Sequence, residues 1–252
     1  MRVLVAAGLD PTGGAGLAAD LEALLAVGAR ALPVATALTV QGPAGAFAYA
    51  SVPARFVRAQ VEGLFRGRGG RPAAVKTGML GSGANAAALA ALLAGELLSA
   101  LPLVVDPVLA ASSGLRLLED ERGRSPAAVL APLLARATVV TPNWIELAEL
   151  CDVDLASLRS DDDAVEAARR LPCQAVLVKG GHRRGAPVDL LVCGREVRRF
   201  EGRRRPGTAR GTGCRLASAL AGLLAQGAPL DQAVRRAKRV VERYLDAEAG
   251  RR

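Results

Sequence analysis

Short apolar runs alternate with stretches of helical periodicity along nearly the whole chain, and this alternation limits the fold more than any other feature. The runs Arg2–Ala7, Ala31–Val40, Ala74–Met79, Leu103–Val108, Thr138–Thr141 and Ala175–Lys179 read as strands. Between them, helical patterns cover Gly16–Val27, Pro53–Phe65, Asn85–Leu98, Pro126–Ala135, Ile145–Leu150 and a segment from the Ser160 cap to Arg170. Asp189–Cys193 and Val197–Glu201 suit a hairpin around Gly194, and Gly213–Ala225 and Leu230–Ala247 suit two final helices. Such alternation implies an α/β fold with a mainly parallel sheet covered on both faces. Ligands of such sheets bind beyond the C-terminal strand ends, so functional motifs should stand directly after strands. No linker, repeat or low-complexity tract interrupts the pattern, and residues 1–252 are expected to form one domain.

Composition narrows the class. An apolar fraction of 51% suits a globular core, while 3% aromatics gives little material for stacking nucleic-acid bases. The net charge of +9 comes mostly from arginine, since lysine occurs only at 76, 179 and 238. Arg183-Arg184, Arg198-Arg199 and Arg203-Arg204-Arg205 do not make one basic helix, which argues against a nucleic-acid partner and leaves anionic small ligands. The cysteines at 151, 173, 193 and 214 show no CxxC pair, so neither structural zinc nor a disulfide framework is expected. No apolar run is long enough to span a bilayer, because Glu96, Ser99 and Pro102 break the longest. The N-terminus reads as a first strand, and a cytoplasmic protein without a membrane partner is the expectation.

The motifs fall where the sheet rule puts them. AAGLDPTGGAGLAADLEAL is a glycine turn between strand and helix, able to offer backbone N–H groups, with Asp20 one turn into the helix. Gln41 ends the strand of ATALTVQG, and its amide both donates and accepts, which suits a heterocycle. Gly78 and Met79 close the strand of VKTGMLGS, where core filling is the competing role for the methionine. In VVDPVLAASSG, Asp106 ends an apolar strand, where a carboxylate is costly without a cation or donors. In TPNWIELAEL, Asn143 and Glu146 lie one helical turn apart, and their oxygens suit a hydrated Mg²⁺ as well as a helix cap. Lys179 ends the strand of VLVKGGH, which also holds the only histidine, His182, a residue type more often structural when alone. RGTGCRLASAL puts Gly211, Thr212, Gly213 and Cys214 at a helix mouth, where successive N–H groups form an anion nest. The helix terminus should also lower the pKa of Cys214, leaving it a buried filler, a nucleophile or a proton acceptor.

The ordered set AGLDPTGGAGLAADL, TALTVQ, VKTGMLGS, VVDPVLAASSG, TPNWIEL, VKGGH and GTGC resembles the hydroxymethylpyrimidine/phosphomethylpyrimidine kinases of thiamine biosynthesis, a ribokinase-like branch close to the pyridoxal kinases. The resemblance covers nearly the whole chain and implies a three-layer α/β/α sandwich. It implies ATP- and Mg²⁺-dependent phosphorylation of 4-amino-5-hydroxymethyl-2-methylpyrimidine and then of its monophosphate. By similarity, Gly8, Asp20, Gln41, Met79, Val108 and Cys214 would line the pyrimidine site, and the Gly211–Cys214 backbone would hold the transferring phosphate. Asp106 and Glu146, with Asn143 nearby, would organise Mg²⁺, Lys179 would lie near the ATP phosphates, and a homodimer is implied.

The chain leaves the family pattern in places. Gly42-Pro43 follows the strand-end Gln in place of Asn-Thr, and Leu109–Gly114 replaces Met-Val-Ala-Lys-Ser-Gly, so a lysine is lost at Ser112. Arg210 and Arg215 flank GTGC where His and Thr are usual. These changes bear on the second phosphorylation and on the choice of pyrimidine over pyridoxal, and they leave a catalytically weak pyrimidine-binding homologue as a third reading. One expectation is that Arg210 or Arg215 supplies the cation lost at Ser112, with Arg210 placed toward ATP.

Overall fold

A computed structural model describes residues 1–42, 44–66, 71–119, 122–181, 186–205 and 209–250. Strands β1 (Arg2–Leu9), β2 (Arg30–Gly42), β3 (Gly45–Ser51), β4 (Ala74–Thr77), β5 (Gly81–Ser82), β6 (Leu103–Val105), β7 (Leu118–Glu119), β8 (Val139–Val140), β9 (Val176–Val178), β10 (Val188–Cys193) and β11 (Glu196–Glu201) alternate with helices. The helices are α1 (Gly16–Ala26), α2 (Ala54–Leu64), α3 (Gly83–Leu93), α4 (Pro126–Leu134), α5 (Trp144–Cys151), α6 (Asp161–Arg169), α7 (Thr212–Ala225) and α8 (Leu230–Gly250).

The main sheet has nine strands in the order β11-β10-β9-β8-β6-β4-β1-β2-β3. The strands β2, β1, β4, β6, β8 and β9 pair in parallel, and antiparallel partners close both edges. The parallel register gathers the C-terminal ends of these strands on one rim.

Strand periodicity divides the core into two. Leu4, Ala6 and Val75 face α2–α6, and Val3, Val5, Ala7 and Ala74 face α1, α7 and α8. Helices thus cover both faces, the three-layer sandwich that the alternation implied.

Several boundaries differ from the sequence reading. β3 was not anticipated: it pairs antiparallel with a β2 that runs on to Gly42. β6 stops at Val105, short of the expected Val108, because Pro107 has no N–H for the ladder. α3 ends at Leu93 and not at Leu98, in a run of turns that begins around Gly95. The small β5–β7 pair was also missed, being too short to carry a period.

Candidate active site

Asp106 stands at the rim directly after β6 and is 1% exposed. The Lys179 ammonium, directly after β9, donates to Asp106 Oδ1 at 2.8 Å, and Thr141 Oγ1 donates to the same oxygen at 3.1 Å. Burial alone would raise the Asp106 pKa, but the Lys179 and Lys76 cations outweigh it and hold the carboxyl below its ordinary value. Glu146 Oε2 lies 3.5 Å from Lys179 Nζ. Burial, with the Asp106 charge adding to it, pushes the Glu146 carboxyl up against the pull of Lys179. Lys179 is itself held above its ordinary value by Asp106 and Glu146, which overcome the opposing effect of burial.

Glu146 also closes a capping box on α5. The Asn143 N–H donates to Glu146 Oε2 at 2.7 Å, and the Glu146 N–H donates to Asn143 Oδ1 at 2.9 Å. The i, i+3 spacing read as a shared ligand face therefore serves first to fix the helix start. It still aims one carboxylate at Lys179.

The α7 mouth meets this cluster from above. Gly211 has φ +69°, a conformation natural to glycine, and a Cβ there would fall 2.2 Å from the Gly14 carbonyl. Among the described residues no side chain caps α7, which leaves its first N–H groups open to a ligand. A Cβ on Gly213 would lie 3.2 Å from Lys179 Nζ and 4.0 Å from Asp106 Oδ2. The chain has placed an uncapped helix terminus, a lysine and a carboxylate within contact distance of one another.

Cys214 is half-buried at this mouth. The expected fall in its pKa is not found: burial pushes the thiol up to about 11, with Asp20 and Asp106 adding to it and Lys76 and the Gly16 N–H opposing. Desolvation and two carboxylates outweigh the Lys76 cation and the Gly16 N–H.

Asp20 departs from its expected place. It is 0% exposed. Lys76 donates to its two oxygens at 2.8 and 2.9 Å, and Ser218 Oγ donates to Oδ1 at 2.8 Å. Lys76 shares the α1/α7 face of β4 with Ala74, which is why its ammonium meets α1. Burial lowers its pKa while Asp20, Cys214 and Asp106 together raise it more, and burial pushes the Asp20 carboxyl up against the pull of Lys76 and Ser218. The motif reading passed over Lys76, although a lysine in the fully buried strand AVKT was a visible signal.

On the other side of the mouth, Gly8, Met79 and Val108 come together. A Cβ on Gly8 would fall 2.7 Å from Met79 Sδ, and Met79 packs with Ala37 and Leu117 in a small cluster that Val108 and Tyr49 border. Gln41 lies beyond them, and Arg210 reaches it. The Arg210 guanidinium donates to Gln41 Oε1, to Asp10 Oδ2 at 3.1 Å and to the Gly42 carbonyl at 3.4 Å. Its charge is therefore matched by Asp10, on the Gln41 side of the mouth.

Arg215 is buried and turned away from the rim. It pairs with Glu22 at 2.5 Å, donates to the Gly14 carbonyl at 2.9 Å and stacks 3.7 Å from the Tyr244 ring centroid. Its charge is therefore matched by Glu22. His182, Arg183-Arg184 and Pro43 lie outside the described residues.

Among the described residues no three His, Cys, Asp or Glu side chains converge on a metal position. Asp106 and Glu146 instead share Lys179. That donor set fits Mg²⁺ held through its waters, since Mg²⁺ uses one or two carboxylates and completes its shell with water and phosphate oxygens.

A mainly parallel α/β/α sandwich with an uncapped helix terminus facing a lysine–carboxylate pair defines a ribokinase-like kinase. Residues 10–251 match the family model for phosphomethylpyrimidine kinase, and the chain belongs to that family. It is 40% identical over 251 residues to a hydroxymethylpyrimidine/phosphomethylpyrimidine kinase of Streptomyces coelicolor, covering 97% of this chain and 88% of that one. The Mycobacterium tuberculosis kinase of the same name is 39% identical over 98% of this chain and 88% of its own length. Among solved structures, a phosphomethylpyrimidine kinase from Clostridium difficile superposes with a TM-score of 0.80 at 30% identity, covering 97% of this chain and 99% of that one. A Staphylococcus aureus pyridoxal kinase in complex with AMP-PCP and pyridoxal superposes at 0.81 with 28% identity, covering 96% and 86%.

Proposed function

We propose that this kinase transfers the γ-phosphoryl group of ATP to the hydroxymethyl group of 4-amino-5-hydroxymethyl-2-methylpyrimidine, and a second phosphoryl group to the resulting monophosphate. The observation that carries the reading is the contact of the α7 mouth with Lys179 and Asp106. Phosphoryl transfer asks for positioning and charge neutralisation more than covalent help. The Gly211–Cys214 N–H groups would hold the transferring phosphoryl, with Lys179 neutralising its charge and Asn143 bordering the nucleotide. Asp106 and Glu146 would hold Mg²⁺ through its waters, and the ion would supply charge neutralisation on the phosphates. Gly8, Met79, Val108 and Gln41 would receive the pyrimidine ring. Asp20 would act beneath that site through Lys76.

Cys214 would face the attacking hydroxyl. Its elevated pKa leaves roughly one part in 10⁴ as thiolate at neutral pH, and only that fraction could take the hydroxyl proton, forming the neutral thiol.

Residues 1–252 would act as one domain, a reading supported by a sheet whose strands run from Arg2 to Glu201. A homodimer is supported by exposed Leu38, Val40 and Phe47 on the β2–β3 edge, and a molar mass in solution near one chain's 25.9 kDa would refute it. No helix among the described residues is long and apolar enough to cross a membrane, which fits a cytoplasmic enzyme.

The test is ATP consumption with the pyrimidine alcohol, its monophosphate and pyridoxal, each alone. Turnover with the first two and far less with pyridoxal is expected. Preference for pyridoxal would overturn the substrate assignment, and tight pyrimidine binding without turnover would overturn the activity.

A further inference from the structure

Gln41 can present either of two faces to a ligand, because its amide can flip, and its neighbours choose between them. The Thr39 hydroxyl donates to the Leu9 carbonyl at 2.9 Å, so toward Gln41 it can only accept, and it takes Gln41 Nε2 at 2.8 Å. Arg210 carries donors alone, and it meets Gln41 Oε1. A flipped amide would set its NH₂ against the guanidinium and its oxygen against a hydroxyl with no proton to give. Both neighbours therefore enforce the same orientation. The Arg210 backbone is held in turn, since its carbonyl accepts from Tyr244 Oη at 3.1 Å and Arg215 Nη1 at 3.3 Å.

We propose that Arg210 is a specificity-determining positioning residue, which locks the Gln41 amide so that one N–H and one oxygen lone pair remain side by side for the acceptor substrate. That edge complements a ring nitrogen next to an exocyclic amine, the edge of a 4-aminopyrimidine. It does not complement pyridoxal, whose ring nitrogen and phenolic hydroxyl are separated by a methyl-bearing carbon. The lock depends on arginine in the turn before Gly211, and Asp10, 3% exposed, keeps the guanidinium in place at 3.1 Å. The inference rests on the reading of Gln41 as a contact to the pyrimidine ring.

The experiment compares Arg210→Ala, Arg210→Lys and Gln41→Ala with the parent enzyme. It measures KM and kcat for the aminopyrimidine alcohol and for ATP, and calorimetric Kd for the aminopyrimidine and for pyridoxal. Arg210→Ala is expected to weaken aminopyrimidine binding about tenfold through KM, with the ATP KM and the pyridoxal Kd unchanged. Arg210→Lys, still donor-only, should recover most of the loss. The double variant should lose no more than Gln41→Ala alone. Asp10 keeps Thr12 N at 2.9 Å, Thr12 Oγ1 at 2.8 Å and Ala15 N at 3.0 Å as donors, so Arg210→Ala should fold, which a thermal melt checks. An unchanged ratio of the two affinities, or a rise in the ATP KM with equal loss of both ring ligands, would overturn the proposal. If Gln41→Ala has no effect on the aminopyrimidine, the pocket reading itself fails. An effect at Gln41 with none at Arg210 sinks only the lock.

Discussion

Lys179 Nζ and Asp106 Oδ1, 73 residues apart in sequence, meet at 2.8 Å directly beneath the α7 mouth. The pair gives the site a fixed cation and a fixed carboxylate that neither strand end could hold in a buried place alone.

Asp106→Asn is expected to lower kcat by about 10²–10³-fold with little change in the pyrimidine KM, because it removes charge organised around the phosphates. Its folded pKa lies below 3.8, so the carboxylate contributes stability above that value and loses it as pH falls through the folded pKa. The parent's advantage over the variant in urea midpoint should therefore shrink below about pH 4. Constant separation at all pH values would contradict the charged pair.

Removing one partner of the buried Lys76–Asp20 pair strands a charge. Lys76→Met should cost about 3–5 kcal/mol, a fall in Tm on the order of 10 °C by calorimetry. Lys76→Met with Asp20→Leu should recover most of it. A single variant melting like the parent would show that the pair is not ionised.

For Cys214, a proton-accepting role requires kcat/KM to rise with unit slope from neutral pH toward about 11, and Cys214→Ala to abolish that slope. A plateau from pH 7 with an active alanine variant would leave the thiol a packing group. The raised pKa also means the unfolded chain releases this proton first, so stability should fall between pH 9 and about 11. The alanine variant should lose less over that window.

Glycine replacements separate fold from site. A Cβ at Gly180 would stand 1.9 Å from the Val188 carbonyl, which is rigid backbone, so Gly180→Ala should unfold the loop or the protein. At Gly213 the obstacle is the flexible tip of Lys179 at 3.2 Å, so Gly213→Ala should keep its Tm and lose turnover. Gly181→Ala meets nothing within 4 Å among the described residues and serves as the control. Equal melts for all three would refute the close approaches.

The fold was largely legible because periodicity and punctuation are local. Alternating patterns gave the parallel sheet, and Asn143 and Ser160 read as helix caps, which the structure extends to capping boxes. β3 escaped because its burial does not alternate cleanly, so it offers no period. The placement of Gly8, Met79, Asp106 and Lys179 at the rim followed from the strand-end rule.

The sequence by itself determined the layers, the rim and the order of the motifs on it, since these follow from hydrophobic period and from glycine and proline at strand ends. Only the tertiary structure decided which charges meet. Asp20 turned from a pocket wall into the buried partner of Lys76, 56 residues away, and Arg210 found Asp10 across 200 residues. Arg215, equally basic and five residues on, went to Glu22 instead. A charged side chain carries no period and accepts any opposite partner within reach, so burial and distance make the choice.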